Sequence, residues 1–336
     1  MKPIAIFRRL LLLTLVLLGV SIVVFSMMHM TPGDPIELMM GQAGHVSEEE
    51  VEALRHEYGL DLPAQKQYWR FVTGAARGDL GLSYHHKQPV SDVIGRHLPA
   101  TVELTACALI LAVVFAIPVG VFCAARRRTA WDWSGIGASL VGVSMPGFWL
   151  GLVLMLVFAI GLKWLPVTGR MDHSLVFEPR TGLYMLDSLL AGDLAALWSA
   201  VKHLLLPAIT MGAPMAAITS RMVRTSTIEA LQQDYVRFAR AKGLPENVVV
   251  IKHAVRNALI PTVTVIALQT GILLSGNMII ETVFSWPGVG RLAVQAIEAR
   301  DYPLVQGVVL LYATTYVLLN LAADLLYGWL NPKIEE

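Results

Sequence analysis

Residues 234–261 read DYVRFARAKGLPENVVVIKHAVRNALIP. The stretch carries five Arg/Lys residues, two acids and one histidine, yet it lies between two of the most apolar parts of the chain. It is too long for a simple turn between membrane spans and too short for a catalytic domain. It parses into two short helices. The first covers about residues 227–242, with Arg237, Arg240 and Lys242 in its last turns, where the helix dipole favours cations. Gly243 supplies a left-handed stop. Pro245 opens the second helix, with Glu246 well placed in its first turn. Val248, Ile251 and Val255 then recur at near-helical spacing. On the first helix Tyr235, Ala239 and Lys242 share a face, with Phe238 and Ala241 beside them. Two physical readings stay open. The block is a docking element whose alanines allow close approach and whose aromatics anchor in a groove, or it is an amphipathic helix resting on anionic lipid.

The sequence on either side settles the class. Of the 336 residues only 15% are charged, whereas a soluble chain carries about a quarter. Mean hydropathy is +0.59. A membrane-crossing helix needs about 20 mostly apolar residues. Six segments qualify: residues 10–28, 104–125, 135–162 (interrupted by Pro146-Gly147), 204–220, 257–280 and 304–323. The first is expected to be retained rather than cleaved as a signal peptide. Its apolar run exceeds a signal-peptide core, and HMTPGDP follows with no small-x-small cleavage site.

Basic residues near span ends set orientation. Lys2, Arg8 and Arg9 precede span one, and Arg126, Arg127 and Arg128 follow span two. Arg221, Arg224, Arg237, Arg240, Lys242, Lys252 and Arg256 lie between spans four and five, and Lys333 follows span six. With six alternating spans, all of these fall on one side, expected to be the cytoplasm, with both termini inside. The other side receives loops of about residues 30–99, 163–203 and 282–303. In the first of these, Ser47 and Glu50 stand at capping-box spacing, and Gly59 is placed to stop a helix. Pro63 and KQYWRFV follow. A helical layer on the outer membrane face and a solvated loop with incidental helices both fit this pattern.

Several chemistries find no residues to perform them. No phosphate-cradling Gly-x-x-x-x-Gly-Lys-[Ser/Thr] loop and no His-Glu-x-x-His occurs. The run from Gly142 to Pro146 lacks the second glycine of a nucleophile elbow. No catalytic and no metal-ligating residue is assigned: His85-His86 reads as a solvated turn beside a lysine. Cys107 and Cys123, roughly 24 Å apart on one helix at 1.5 Å per residue, cannot form a disulfide. Glu103, Glu281 and Asp324 all fall near span ends, which leaves no obvious ion-coupling site deep in the membrane. A transporter built this way must borrow its energy from a partner. Pro118, Pro146, Pro207 and Pro261 are candidate bends. Gln269, Ser275 and Asn277 are polar residues within span five. They line a translocation path together with Pro146, or they bond between helices.

Resemblance decides between the readings of the basic block. Cytoplasmic EAA motifs of ATP-binding cassette (ABC) importer permeases read Glu-Ala-Ala, three residues, Gly, nine residues, then Ile-x-Leu-Pro. Aligned on Gly243, only Ala239 and Gly243 match that general pattern. DYVRFARAKGL with HAVRNALIP, however, resembles the variant found in the dipeptide/oligopeptide/nickel branch. So do GDLGLSY (78–84), PATVEL (99–104), SMPGFWLG (144–151), LPVTGR (165–170), ETVFSWPGVGRL (281–292), RDYPLVQG (300–307) and DLLYGWLNPKI (324–334). The insertion TGLYMLDSLLAGD (181–193) looks most like the B-type permease of dipeptide importers.

The resemblance implies an all-α polytopic membrane protein of six transmembrane helices with the type I ABC importer permease fold. Expected regions are an N-terminal tail and first span (1–29), a periplasmic helical loop (30–99), a permease core (100–328) and a cytoplasmic tail (329–336). The core would hold a periplasmic insertion at about 163–203 and coupling helices at about 227–256. Also implied are a homologous second permease subunit, two ATPase subunits that use ATP and Mg, and a periplasmic substrate-binding protein. The chain itself would bind no cofactor and no nucleic acid, would contact membrane lipid, and would be non-catalytic in the bacterial inner membrane. Tyr235, Arg237, Phe238, Ala239, Arg240, Lys242, Gly243, Leu244 and Glu246 become the ATPase-coupling residues. The implied cargo is a dipeptide, with oligopeptides, glutathione and nickel chelates as alternatives within the same architecture. A stand-alone channel or carrier and a membrane enzyme are the readings from other classes.

Overall fold

In hydrocarbon an apolar segment can satisfy its backbone internally only as a helix or a closed barrel, and long runs of Leu, Val, Ile and Ala without turn residues select the helix. A computed structural model describes residues 3–30, 36, 48–274 and 277–330. Their regular elements are helical, and a lone antiparallel bridge joins Leu82 and Pro89. In chain order these are α1 (Pro3–Met30), α2 (Glu48–Tyr58), α3 (Ala64–Ala75), α4 (Val90–Ala125), α5 (Ala130–Ser144) and α6 (Gly147–Leu154), the last running into a π-helical turn, Met155–Gly161. Then come α7 (Tyr184–Ala191), α8 (Leu194–Leu231), α9 (Asp234–Ala241) and α10 (Glu246–Val248), followed by a second π-helical turn, Val249–Val255. The remainder are α11 (Arg256–Leu274), α12 (Met278–Val283), α13 (Val289–Glu298) and α14 (Tyr302–Leu330).

Among the described residues five helices are long and apolar enough to cross a membrane, and the pair α5 and α6 makes a sixth if counted as one broken span. That pair is the expected third span, interrupted where Pro146-Gly147 stands. It begins at Ala130 rather than Gly135 and turns through 108° at Met145-Pro146. Pro146 has no N–H to donate and pushes Met145 into an extended conformation (ψ 129°). By contrast Pro207 and Pro261 sit inside continuous helices. The expected fourth span, 204–220, is the middle of the 38-residue α8.

Two compact units compose the chain: Met1–Thr101 with Pro287–Leu318, and Val102–Trp286 with Leu319–Glu336. In the first, α1 is tied to α3 by Ser21 Oγ to Tyr68 Oη (2.9 Å) and by His29 Nε2 to Gln67 Oε1 (3.0 Å). Gly59 (φ 68°) ends α2, and the Leu60 N–H closes on the Arg55 carbonyl at 2.9 Å, as its position in the sequence requires. Ser47 lies outside the described residues. The GDLGLSY loop docks on the RDYPLVQG segment. Asp301 is fully buried and accepts from Ser83 Oγ (2.5 Å) and the His85 N–H (3.0 Å). The described residues of the segment after α1 are therefore tied down by side-chain contacts.

In the second unit α8 is central, with α5, α6, α7 and α11 packed along it. Small residues allow the close approach. A Cβ at Gly120 would stand 2.6 Å from the Ser220 carbonyl oxygen, and one at Gly212 would stand 2.7 Å from that of Ala108. Asp132 of α5 is buried and receives two hydrogen bonds from Arg224 of α8, at 2.6 and 2.8 Å. That pair locks α5 to α8.

Candidate coupling site and buried charge cluster

The basic block folds differently from the two-helix expectation in one respect. No helix runs unbroken over 227–242: α8 ends at Leu231, Gln232 and Gln233 form a turn, and α9 begins at Asp234. Gly243 then adopts φ 74°, the left-handed conformation that glycine reaches without strain, and Pro245 caps the next turn. A small core of Val236, Ala239 and Val249, with Leu231 packed against it, holds the block together. A second cluster, Ala230, Ala254 and Ala258, joins the end of α8 to the start of α11.

The charged residues brace the block from within. Arg240 grips Glu246 across the Gly243 turn with bonds of 2.6 and 3.1 Å. The Glu246 carboxylate holds the Arg240 guanidinium above its ordinary pKa. Arg237 pairs with Asp234 at 3.3 Å, and Lys242 Nζ lies 4.5 Å from the centre of the Phe238 ring. Asn257 Nδ2 donates to Tyr235 Oη at 2.9 Å, pinning α9 to α11. All these side chains are exposed, so each pair contributes about 0–1 kcal/mol. Together they fix a shape.

Of the nine residues expected to couple, eight are exposed, and Ala239 is not. It is 5% exposed and faces the block's own core, so the expected shared face of Tyr235, Ala239 and Lys242 is split. The outward apolar surface consists of Tyr235, Phe238 (62% exposed), Leu244 and Ile251 (66% exposed). Ile251 is the residue that helical spacing missed. The π-helical turn adds a residue per turn, which rotates Val249, Val250 and Ala254 inward and leaves Ile251 outside. Its signal in the sequence is the run of three valines ahead of it, too apolar for one face of an exposed helix.

The expected path residues scatter. Pro146 is exposed at the bend ahead of α6, and Gln269 is half-buried on α11. Asn277 caps α12, its side-chain oxygen accepting from the Ile280 N–H at 3.2 Å. The structure brings α12 against α6, where Gly151 faces the Phe284 ring, so Pro146 and Asn277 lead into neighbouring elements. Ser275 lies outside the described residues.

A second cluster went unread in the sequence. Glu103, just ahead of the expected second span, is buried and takes a 2.5 Å hydrogen bond from Arg170 Nη2. The same nitrogen donates to the Gly182 carbonyl at 2.8 Å, and the guanidinium lies 3.8 Å from the centre of the Tyr184 ring and 5.3 Å from that of Trp286. Arg170 Nε finds no acceptor among the described residues. The other Glu103 oxygen accepts from the Met185 N–H at 2.7 Å. Asp187 shapes this corner, accepting from the Thr181 N–H and hydroxyl and from the Gly182 N–H. Burial alone would raise its pKa, but those donors outweigh burial and hold it below the ordinary carboxylate value. LPVTGR and the 181–193 insertion thus meet around one ion pair, which no sequence spacing shows. Glu281 is likewise buried.

Comparison with known proteins agrees with this architecture. Residues 116–336 match the family described as "Binding-protein-dependent transport system inner membrane component". Residues 4–105 match "Binding-prot-dependent transport system membrane comp, N-term". The di/tripeptide transport system permease protein DppB of Pseudomonas aeruginosa (strain UCBPP-PA14) is 44% identical over 98% of both chains. The dipeptide transport system permease protein DppB of Escherichia coli (strain K12) is 43% identical, again over 98% of both. The glutathione transport system permease protein GsiC of Pectobacterium atrosepticum is 40% identical over 97% of both.

Proposed function

The chain belongs to the family of binding-protein-dependent transport system inner membrane components, and from that membership we propose that it moves dipeptides inward as one permease half of an ATP-driven importer. The cargo reading rests on 43–44% identity to permeases of dipeptide and di/tripeptide systems along nearly the whole chain. A homologous second permease completes the pore, two ATPase subunits consume ATP and Mg, and a substrate-binding protein presents cargo from outside. Both termini lie in the cytoplasm, which puts the block from Asp234 to Val255 on the ATPase side. The exposed apolar surface of Tyr235, Phe238, Leu244 and Ile251 supports docking there, because anchors of this kind carry most of an interface's energy. The internally paired Arg237, Arg240, Lys242 and Glu246 hold that surface in shape.

Uptake in cells with and without the gene, supplied in turn with a labelled dipeptide, a longer peptide, glutathione and nickel, tests the cargo. Loss of dipeptide uptake alone is expected. Loss of glutathione uptake alone would keep the architecture and replace the cargo, an outcome the 40% identical glutathione relative makes worth measuring. Copurification of an ATPase subunit tests the coupling role. Transport that proceeds without any ATPase would overturn it.

A further inference from the structure

The second unit contains an apolar groove of about 410 Å³ between α4, α5 and α8. Phe115 and Val119 of α4, Ala138 of α5, and Ile209 and Ala216 of α8 typify its lining. Its only polar side chains, Ser139 and Ser220, spend their hydroxyls on their own helices, donating to Ile136 at 2.8 Å and Ala217 at 3.1 Å. Nothing in the groove asks for water, and an apolar cavity of this kind takes an apolar guest. Along α8 it extends from Ala208 to Ser220. Twelve steps at 1.5 Å make roughly 18 Å, enough to cover the ~15 Å depth of one leaflet's hydrocarbon.

One end of the groove is strongly basic. Beyond Val119 and Ser220 a narrow crevice continues past Cys123 to Arg221 and Arg224. The turn after α4 carries Arg126, Arg127 and Arg128, all exposed. The one buried carboxylate here, Asp132, is consumed by Arg224, and it also fixes the turn by accepting the Arg128 N–H at 2.9 Å. Among the described residues no carboxylate pairs with Arg126, Arg127, Arg128 or Arg221. On the neighbouring turn of α5, Trp131 and Trp133 are 61% and 67% exposed, the placement of aromatics that sit at the headgroup level.

We propose that this groove is a binding site for an anionic phospholipid, one acyl chain lying along α4, α5 and α8 and the phosphate held by Arg126, Arg127 and Arg128. The polarity of the site matches that of the ligand: an apolar trench of leaflet depth leads towards a turn of three exposed arginines that have no carboxylate partner among the described residues, Arg126 resting on the Phe122 ring, and guanidiniums bind phosphate well. Basic pockets between membrane helices recognise anionic headgroups in this way. The assignment is independent of the cargo.

The full chain, purified in mild detergent, is titrated with phosphatidylglycerol or phosphatidylcholine of identical acyl chains, and bound lipid is counted by native mass spectrometry. Phosphatidylglycerol is expected to bind in preference. Each arginine near an anionic group contributes about fivefold, so Arg126→Gln, Arg127→Gln and Arg128→Gln together should lower its affinity about a hundredfold and abolish the preference. Ala138→Phe is placed at an exposed position and fills the trench without touching the arginines. It should weaken retention of both lipids. Equal binding of the two lipids by the native chain would overturn the proposal. So would full lipid retention by Ala138→Phe, an outcome that leaves the trench to a protein helix. Arg127→Gln alone, expected to lose about fivefold, keeps the headgroup assignment falsifiable if the triple variant does not fold.

Discussion

Replacing Arg170 by methionine tests the buried charge cluster most sharply. Arg170 is 8% exposed and Glu103 6%. Among the described residues the guanidinium is the carboxylate's one cationic partner, and without it Glu103 keeps the Met185 N–H. Breaking a buried pair from one side costs about 3–5 kcal/mol, because a charge is left uncompensated, whereas an exposed pair would cost under ~1 kcal/mol. The lost Gly182 hydrogen bond and the contact with the Tyr184 ring belong to the same substitution. The decisive comparison is therefore the double variant. Adding Glu103→Gln to Arg170→Met removes the stranded charge and should restore about 1–3 kcal/mol, so two substitutions harm the fold less than one.

The assay is thermal unfolding of the four proteins of this cycle in one detergent, read by loss of helical circular dichroism. Arg170→Met should unfold well below the native chain, and the double variant should lie between them. A cost under ~1 kcal/mol for Arg170→Met would show the pair to be screened like a surface bridge. A double variant less stable than Arg170→Met would show that Arg170 acts through its aromatic and carbonyl contacts, not through Glu103.

Gly243→Ala should cost only about 1–2 kcal/mol of local stability, since φ 74° is left-handed and an added Cβ meets nothing within 4 Å. Gly243→Phe should insert normally, as judged by the amount of protein in the membrane, yet lose uptake; unchanged uptake would refute the coupling role. Phe238→Asp and Ile251→Asp alter exposed side chains and should leave thermal stability within about 0.5 kcal/mol while reducing ATPase copurification. Asp187 has a depressed pKa, so its contribution is fully present above the unfolded value of about 3.9 and is lost as pH falls through the folded value. Protection of the 181–187 backbone in hydrogen exchange should therefore drop for the native chain below about pH 4 and stay flat for Asp187→Asn over the same range.

The apolar spans were legible because periodicity and length are local properties, and so was the left-handed stop at Gly243. What the sequence hid depends on partners far along the chain. Arg170 and Glu103 are 67 residues apart, and Asp132 and Arg224 are 92 apart; nothing local marks either pair. Proline shows the same limit. Pro146, Pro207 and Pro261 were all candidate bends, yet of these three only Pro146, followed by Gly147, breaks its helix, by 108°. Met145 and Pro146 there separate two short apolar helices that each pack on α8 or α12 and need not stack on one another. Ala239 and Ile251 were misplaced for a third reason. A two-residue break before Asp234 and a π-helical turn after Val248 shift the facing of every residue in the block, and a 3.6-residue period cannot register either.

These irregularities also bear on how a force on the block would travel. Its core and its internal ion pairs make α9 and the following turn a braced unit. That unit is pinned to α11 by the Tyr235–Asn257 hydrogen bond and joined to α8 through Ala230, Ala254 and Ala258. A push on Phe238 and Ile251 must then displace the ends of α8 and α11 together. From α8 it passes to α5 through the bidentate Arg224–Asp132 pair, and α5 ends at the 108° bend before Pro146. A straight helix beyond that point would carry the motion along its axis. A broken one lets α5 and α6, both packed on α8, answer its movement in different directions, with α6 also held against α12. On this reading the proline bend is the place where a displacement from the ATPase side is converted into relative movement within the second unit, as hinge elements do by absorbing backbone change at a few residues.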